Sequence, residues 1–432
     1  MPRACLVQAL ALTLVLTGGC ASGRIPVRHE PSAISGRVVV FVPGITGSEL
    51  HDRESGRVQW GNFRSLFLPR DGGYGLAVPI GGAEDRLEAG APLLRVGTIP
   101  ALRGDVYLPI VRAYEEAGYE RGKNLLLFGY DWRRDSIENA RLLARRIDAI
   151  PLAAGGTVQK VHLVCQSNAT YLCRWAVRFG DVSIDEAERG MRKPAIRARV
   201  ASVTLLATAN GGGIRILREI DRGRRYVKLG GRKFRPEAFF TFESLYQDLP
   251  AGRADLFVDA QGAPLDIDLF DANSWKRYGW SIFGRDAARR AARAPEIFGD
   301  EATRLAVLQR FLDRAKRMQA VLKSDAAPWP EDTRLVSLQG RSHPTMNRAV
   351  VLRNGGGWRT LFLGDRELAR HPELDGILSE PGDIHASISS QMTLSSSELR
   401  ALGDSTHYFE GDHLTIAHQA ETLEMLVETT QE

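Results

Sequence analysis

The stretch Lys160–Trp175, KVHLVCQSNATYLCRW, constrains this chain more than any other. Val161 to Val164 is a β-branched apolar run that breaks at Cys165-Gln166-Ser167-Asn168-Ala169, after which the pattern turns helical. A serine held between a buried strand and a helix N-terminus sits on a tight turn that lifts Oγ clear of the sheet. The next backbone N–H and the helix dipole then face any anion formed beside it. Strand and helix pass close at such a turn, so the flanking side chains must be small, as Cys165 and Ala169 are. A buried strand and helix joined by a capping serine fit the same pentapeptide, and the rest of the chain has to decide.

Elsewhere, continuous apolar runs alternate with helical patterns. Arg37–Val42 (RVVVFV), Asn124–Phe128, Val161–Val164 and Ala201–Ala207 read as strands, separated by helices over Val106–Ala117 and Ser136–Ile150. Such strands imply a mostly parallel sheet with helices on both faces. From Ile214 to Pro330 the pattern changes, and Phe239, Phe240, Phe242, Tyr246, Phe257, Trp275, Trp280 and Phe283 gather between charged helical stretches. The expectation is an α/β core over residues 35–213, with a lid-like segment at 51–95, an inserted cap domain at 214–330, and a second core part at 331–432. The sheet is expected to resume at Thr333–Leu338 and Arg359–Leu363 and to end at His407–Phe409.

The N-terminus has a targeting pattern. Arg3, the apolar run Ala4–Leu16 and Thr17-Gly18-Gly19-Cys20 read as a signal peptide over 1–19 followed by a tether over 20–34. The segment resembles a bacterial lipoprotein signal in which Cys20 is acylated, although Thr17 stands where such signals carry leucine; ordinary secretion is the alternative. This implies an exported protein, held at the outer membrane on its periplasmic or surface face and meeting the membrane through the N-terminal anchor. Cys165 and Cys173, eight residues apart, are not expected to form a disulfide, and neither has metal-ligand spacing. The net charge of +5 comes from scattered arginines without a basic block, which argues against nucleic acid as a partner. The loop Pro43-Gly44-Ile45-Thr46-Gly47-Ser48 lacks a following Gly-Lys-Ser/Thr, which argues against a nucleotide.

A serine hydroxyl becomes a nucleophile when a positioned base takes its proton and a third group orients that base. If Lys160–Trp175 is the nucleophile elbow of an α/β-hydrolase, the acid and the histidine follow the serine, in that order, on loops after late strands. Asp383 in Glu380-Pro381-Gly382-Asp383 and His413 in Glu410-Gly411-Asp412-His413 stand at such positions. His407 falls inside the last strand and is expected to be covered by helices, while His418 falls on the C-terminal helix, so His413 is the expected base. Oxyanion donors are expected from the backbone of Asn168, after the nucleophile, and of Ile45, in the glycine loop after the first strand.

Val42–Leu50 (VPGITGSEL) and Tyr130-Asp131-Trp132-Arg133 resemble two motifs of the lecithin:cholesterol acyltransferase family. Glu243–Pro250 (ESLYQDLP) is similar to a segment of its bacterial members, and Pro381–His385 to its acid loop. The resemblance spans roughly residues 37–420. It implies an α/β-hydrolase fold with Ser167, Asp383 and His413 as catalytic residues and the Ile45 backbone as an oxyanion donor. It further implies acyl transfer from a lipid ester to water or an alcohol, through an acyl-enzyme and without metal or cofactor. Two departures stand out. Cys165-Gln166-Ser167-Asn168-Ala169 replaces Gly-His-Ser-x-Gly, and Ile384-His385 stands where Gly-Thr is expected. A rival expectation is therefore an inactive hydrolase-fold envelope lipoprotein that binds lipid or plays a structural part. Asp131 and Trp132 are candidates for shaping the substrate pocket, or simply end a strand. The aromatics of the cap and of Trp60–Leu68 are candidates for an acyl groove, or for core.

Overall fold

The computed structural model describes residues 35–97, 104–152, 159–193, 199–226 and 231–431. The expected signal peptide, tether and Cys20 lie outside them.

Six strands carry the fold: β1 (Arg37–Val42), β2 (Leu125–Leu127), β3 (Lys160–Gln166), β4 (Val200–Leu206), β5 (Arg334–Gly340) and β6 (Thr406–Phe409). They form one sheet in the order β6-β5-β4-β3-β1-β2, and every neighbouring pair is parallel. The reason lies in side-chain alternation. Val38, Val40 and Val42 enter one buried cluster and Val39 and Phe41 the other, so both faces of β1 are covered. Helices α1 (Leu108–Glu116) and α6 (Ala420–Gln431) cover the second face, with Ile110, Tyr114, Leu426 and Val427. Helices α2 (Ser136–Asp148) and α3 (Ala169–Arg178) cover the first, with Ile137, Leu143, Leu172 and Trp175. Each such buried aliphatic or aromatic side chain contributes roughly 1.5–3 kcal/mol.

Residues from 214 onward add α4 (Ile214–Arg222) and the long α5 (Glu301–Lys323), capped by Asp300, whose side chain accepts from the Thr303 N–H. Of the two readings of the cap aromatics, acyl groove or core, the structure supports core. Phe239, Phe240 and Phe242 are buried, and they belong to the same continuous cluster as Val38, Leu163 and Val203 of the sheet. Trp60 is buried likewise, edge-on to Trp132, Tyr226 and Phe234.

Three sequence expectations need correction. Cys165 and Cys173 form a disulfide. The turn at Ser167 reverses the chain, so a position two residues before the serine faces one six residues after it, on the helix running back along the strand. Second, Arg359–Leu363 does not rejoin the central sheet. Gly357–Leu361 pairs antiparallel with Ala349–Asn354, in a separate three-stranded sheet with Phe257–Val258. Gly355 and Gly356 both have positive φ, the requirement of a tight hairpin turn, so this strand pairs with its own neighbour. Third, His407 is half-buried on β6, an edge strand, rather than covered, and His418 lies in a short 3-10 turn before α6.

Candidate active site

β3 ends at Gln166 and α3 begins at Ala169, leaving Ser167 in the reversal with a φ of 56°. A non-glycine residue in that region costs of order 1–3 kcal/mol, and such strain concentrates at functional sites. The Ser167 N–H donates to the Leu206 carbonyl at the end of β4, anchoring the turn to the neighbouring strand.

The structure brings Ser167, His413 and Asp383 together. Ser167 Oγ lies 2.8 Å from His413 Nε2, and His413 Nδ1 lies 2.8 Å from Asp383 Oδ2. Asp383 follows Ser379–Gly382, which is paired antiparallel with His343–Met346. It packs against the end of β5, where a Cβ on Gly340 would come within 2.9 Å of the Asp383 Cβ. Only glycine permits that approach. The second oxygen of Asp383 accepts the N–H groups of His385 at 2.9 Å and Ala386 at 2.6 Å. The His413 N–H donates to the Asp383 carbonyl at 2.9 Å. Backbone and side chain of the pair are therefore locked, and a carboxylate with its other lone pairs occupied must accept from Nδ1–H, leaving Nε2 free to accept from the serine.

Ile384, next to Asp383, has a φ of 79°, a conformation that suits glycine and strains a β-branched residue. His385, the next residue, stacks on His413 with ring centroids 4.4 Å apart. Burial, then the His413, Arg215 and Arg224 charges, hold its pKa well below the ordinary histidine value, so it stays neutral.

The glycine loop approaches the nucleophile closely. A Cβ on Gly44 would lie 2.7 Å from the Ser167 Cβ and 2.4 Å from Gln166 Oε1. The Gly44 N–H donates to Gln166 Oε1 at 3.1 Å and to the Tyr107 hydroxyl oxygen at 3.2 Å, and the Tyr107 O–H donates to the same Gln166 oxygen at 3.0 Å. Gln166 and Tyr107 thereby fix the loop over the elbow. Gln166 was visible only as a replaced histidine, and Tyr107 carries no motif or periodicity by which sequence could single it out. Among the described residues the Ile45 and Asn168 N–H groups, the expected oxyanion donors, have no hydrogen-bond acceptor.

The Asn168 side chain donates to Asp248 Oδ2 at 2.9 Å. Asp248 lies in the Glu243–Pro250 segment and its pKa is pushed up to about 7, chiefly by burial. Asp131 and Trp132 support loops. Asp131 pairs with the buried Arg133, 2.7 Å away, and Trp132 Nε1–H donates to the Ser48 carbonyl at 3.0 Å. Among the described residues neither has a hydrogen bond or ion pair to Ser167, Asp383 or His413. Among the described residues no group of three or more His, Cys, Asp or Glu is placed to hold a metal ion.

No protein-family model and no curated protein matches the chain. Among solved structures it is similar to one of a Tle4–Tli4 complex, with a TM-score of 0.59 and 13% sequence identity over 91% of this chain and 98% of that one. A Vlm2 thioesterase domain bound with a dodecadepsipeptide aligns at a TM-score of 0.24 and 11% identity over 93% of this chain and 95% of that one, too low to carry an argument. At these identities the likeness speaks to architecture alone. The chain has an α/β-hydrolase fold: a parallel sheet clothed by helices on both faces.

Proposed function

We propose that the protein is a serine-dependent acyl hydrolase or O-acyltransferase acting on lipid esters, as its resemblance to the lecithin:cholesterol acyltransferase family implies. The observation that carries the reading is the hydrogen-bond relay from Ser167 Oγ through His413 to Asp383, with both links at 2.8 Å. In the proposed reaction Oγ attacks the ester carbonyl carbon while His413 Nε2 takes the hydroxyl proton. The carbonyl oxygen becomes an oxyanion, stabilised by the N–H groups of Ile45 and Asn168. The tetrahedral adduct collapses, the alcohol leaves with the proton from His413, and Ser167 holds the acyl group. Water or a second alcohol, deprotonated by His413, then attacks the acyl carbon and releases Ser167. Asp383 keeps the imidazole oriented and stabilises its charged form throughout.

A cavity of about 570 Å³ lies beside the Val58–Leu76 segment, lined by the apolar Val58, Leu68, Leu76 and Phe234 and by the polar Arg57, Gln59, Asn62, Arg64 and Ser65, and gives an acyl chain room that the buried cap aromatics do not. Anchoring at Cys20 on the outer membrane belongs to the same proposal, and mass spectrometry of the mature N-terminus tests it. Turnover is tested with phospholipids, acylglycerols and sterol esters of matched chain length, in the presence and absence of an alcohol acceptor. Release or transfer of the acyl group by the wild type and not by Ser167→Ala is expected. No turnover of any ester by the folded protein would leave the inactive lipid-binding lipoprotein as the better account.

A further inference from the structure

Asn168 caps the N-terminus of α3, a position at which asparagine ordinarily turns its side-chain oxygen back onto the first-turn N–H groups. Here it makes no such bond. The side chain reaches instead to Asp248, which ends the helix Glu243–Gln247, and its amide N–H donates to Asp248 Oδ2 at 2.9 Å. Both residues are buried. The backbone holds Asp248 in place. Its carbonyl accepts the Gly213 N–H at 2.8 Å, and a Cβ on Gly212 would lie 2.4 Å from that carbonyl oxygen.

One oxygen of each side chain is left over. Asn168 Oδ1 and Asp248 Oδ1 are both buried, and neither has a hydrogen-bond partner among the described residues. An amide oxygen and a carboxylate oxygen can only accept, so neither serves the other unless a proton is added. The Tyr171 hydroxyl beside Asp248 does not supply it, since it donates to the Ala209 carbonyl at 2.8 Å. A buried carboxylate with one amide for a partner is costly, whereas a carboxylic acid is not. The ionisable groups around Asp248 are Tyr171 on α3, Tyr130 after β2, Glu219 on α4 and His413 after β6. Burial keeps both tyrosines protonated, and Glu219 is paired with Arg215 at 3.3 Å and Arg224 at 3.2 Å. Burial likewise pushes the Asp248 pKa up to about 7, against the pull of the Asn168 bond and the His413 charge.

We propose that Asp248 is a positioning residue that works as a carboxylic acid, its Oδ1 proton donated to Asn168 Oδ1 so that the two side chains close a ring of two hydrogen bonds. Resting on the acyl-enzyme reading above, the ring fixes Asn168, whose backbone N–H is the oxyanion donor beside Ser167. Loss of the proton opens the ring and sets two acceptor oxygens against each other. It also brings a negative charge to the side chain that holds the donor, where it opposes the developing oxyanion. The competent form therefore has both Asp248 and His413 neutral.

The test is the rate of fluorophosphonate attachment to Ser167 between about pH 5 and 9, with folding checked by circular dichroism at each pH. The wild-type rate should rise as His413 becomes neutral and then fall about tenfold as pH passes about 7. Asp248→Asn, whose amide closes the same ring at every pH, should lose the alkaline fall. Asp248→Leu, which fills the space and bonds to nothing, should react about tenfold more slowly than Asp248→Asn at neutral pH and below. An infrared difference spectrum of wild type minus Asp248→Asn should show the C=O stretch of a protonated carboxyl below pH 7 and lose it above. A labelled wild type without an alkaline fall, a fall retained in Asp248→Asn, equal rates in the Asn and Leu variants, or no carboxyl band below pH 7 each overturns the proposal. If the wild type takes no label at any pH, the acyl-enzyme reading fails and the positioning role with it, while the infrared band still decides whether Asp248 holds its proton.

Discussion

Gly44→Ala is a small change with a large expected effect. Gly44 does not have a positive φ, so alanine is acceptable to the backbone itself and the cost is steric. The new Cβ would lie 2.4 Å from Gln166 Oε1 and 2.7 Å from the Ser167 Cβ. Ordinary contacts between carbon atoms begin near ~3.5 Å, so the glycine loop and the elbow must part by about 1 Å. The Gly44 N–H bonds to Gln166 and Tyr107 lengthen with that movement. Overpacking of this kind costs about 1–3 kcal/mol. The kinetic effect is larger, because the loop carries the Ile45 N–H, and a displacement of ~1 Å or the loss of one oxyanion donor costs on the order of a hundredfold in rate. Urea denaturation gives the first quantity and the rate of fluorophosphonate attachment to Ser167 the second. Gly376→Ala, where a Cβ would meet nothing within 4 Å, is the control and should change neither. A folded Gly44→Ala protein labelled at the wild-type rate would refute the assignment of this loop to the oxyanion site.

Asp248 has a folded pKa of about 7, above its ordinary 3.8, so it contributes stability that is complete below about pH 4 and is lost as pH rises through 7. Asp248→Asn should therefore flatten the melting temperature against pH between those limits and gain most above pH 7; parallel wild-type and variant curves would contradict the raised value. The disulfide between Cys165 and Cys173 closes a loop with a sequence separation of 8, worth about 2.5 kcal/mol of chain entropy, and Cys173→Ala should lower the unfolding free energy by about that amount in urea. Glu398 is buried with Arg174 at 2.7 Å and Arg178 at 3.4 Å, so Arg174→Met should cost about 3 kcal/mol by calorimetry, and Glu398→Gln in the same chain should recover part of it.

What the sequence made legible was what depends on local order. Arg37–Val42 is a strand as expected, because an unbroken apolar run can be satisfied only by cover on both faces. The relative order of Ser167, Asp383 and His413 could be read from turn chemistry after apolar runs, and the structure brings the three within hydrogen-bond reach. What remained hidden depends on reversal and distance. The Cys165–Cys173 link needs the chain to fold back at the serine, which a spacing of eight residues does not reveal by itself. The hairpin at Gly355-Gly356 took Gly357–Leu361 away from the central sheet because its turn binds it to its neighbour in sequence. Tyr107 reaches Gln166 across 59 positions and Asp248 reaches Asn168 across 80, and no periodicity in either segment marks them. Composition left the cap aromatics open between groove and core, because burial by neighbours from the core cannot be seen in it; they are core.

The central claim is that Ser167 is a nucleophile activated by His413. Treating the folded protein with a fluorophosphonate near neutral pH and sequencing the modified peptide tests it directly. The account predicts a single adduct on the serine of the peptide containing Cys165–Ala169, formed at least a hundredfold more slowly in His413→Gln. Absence of an adduct, attachment at another residue, or an equal rate in His413→Gln would contradict it.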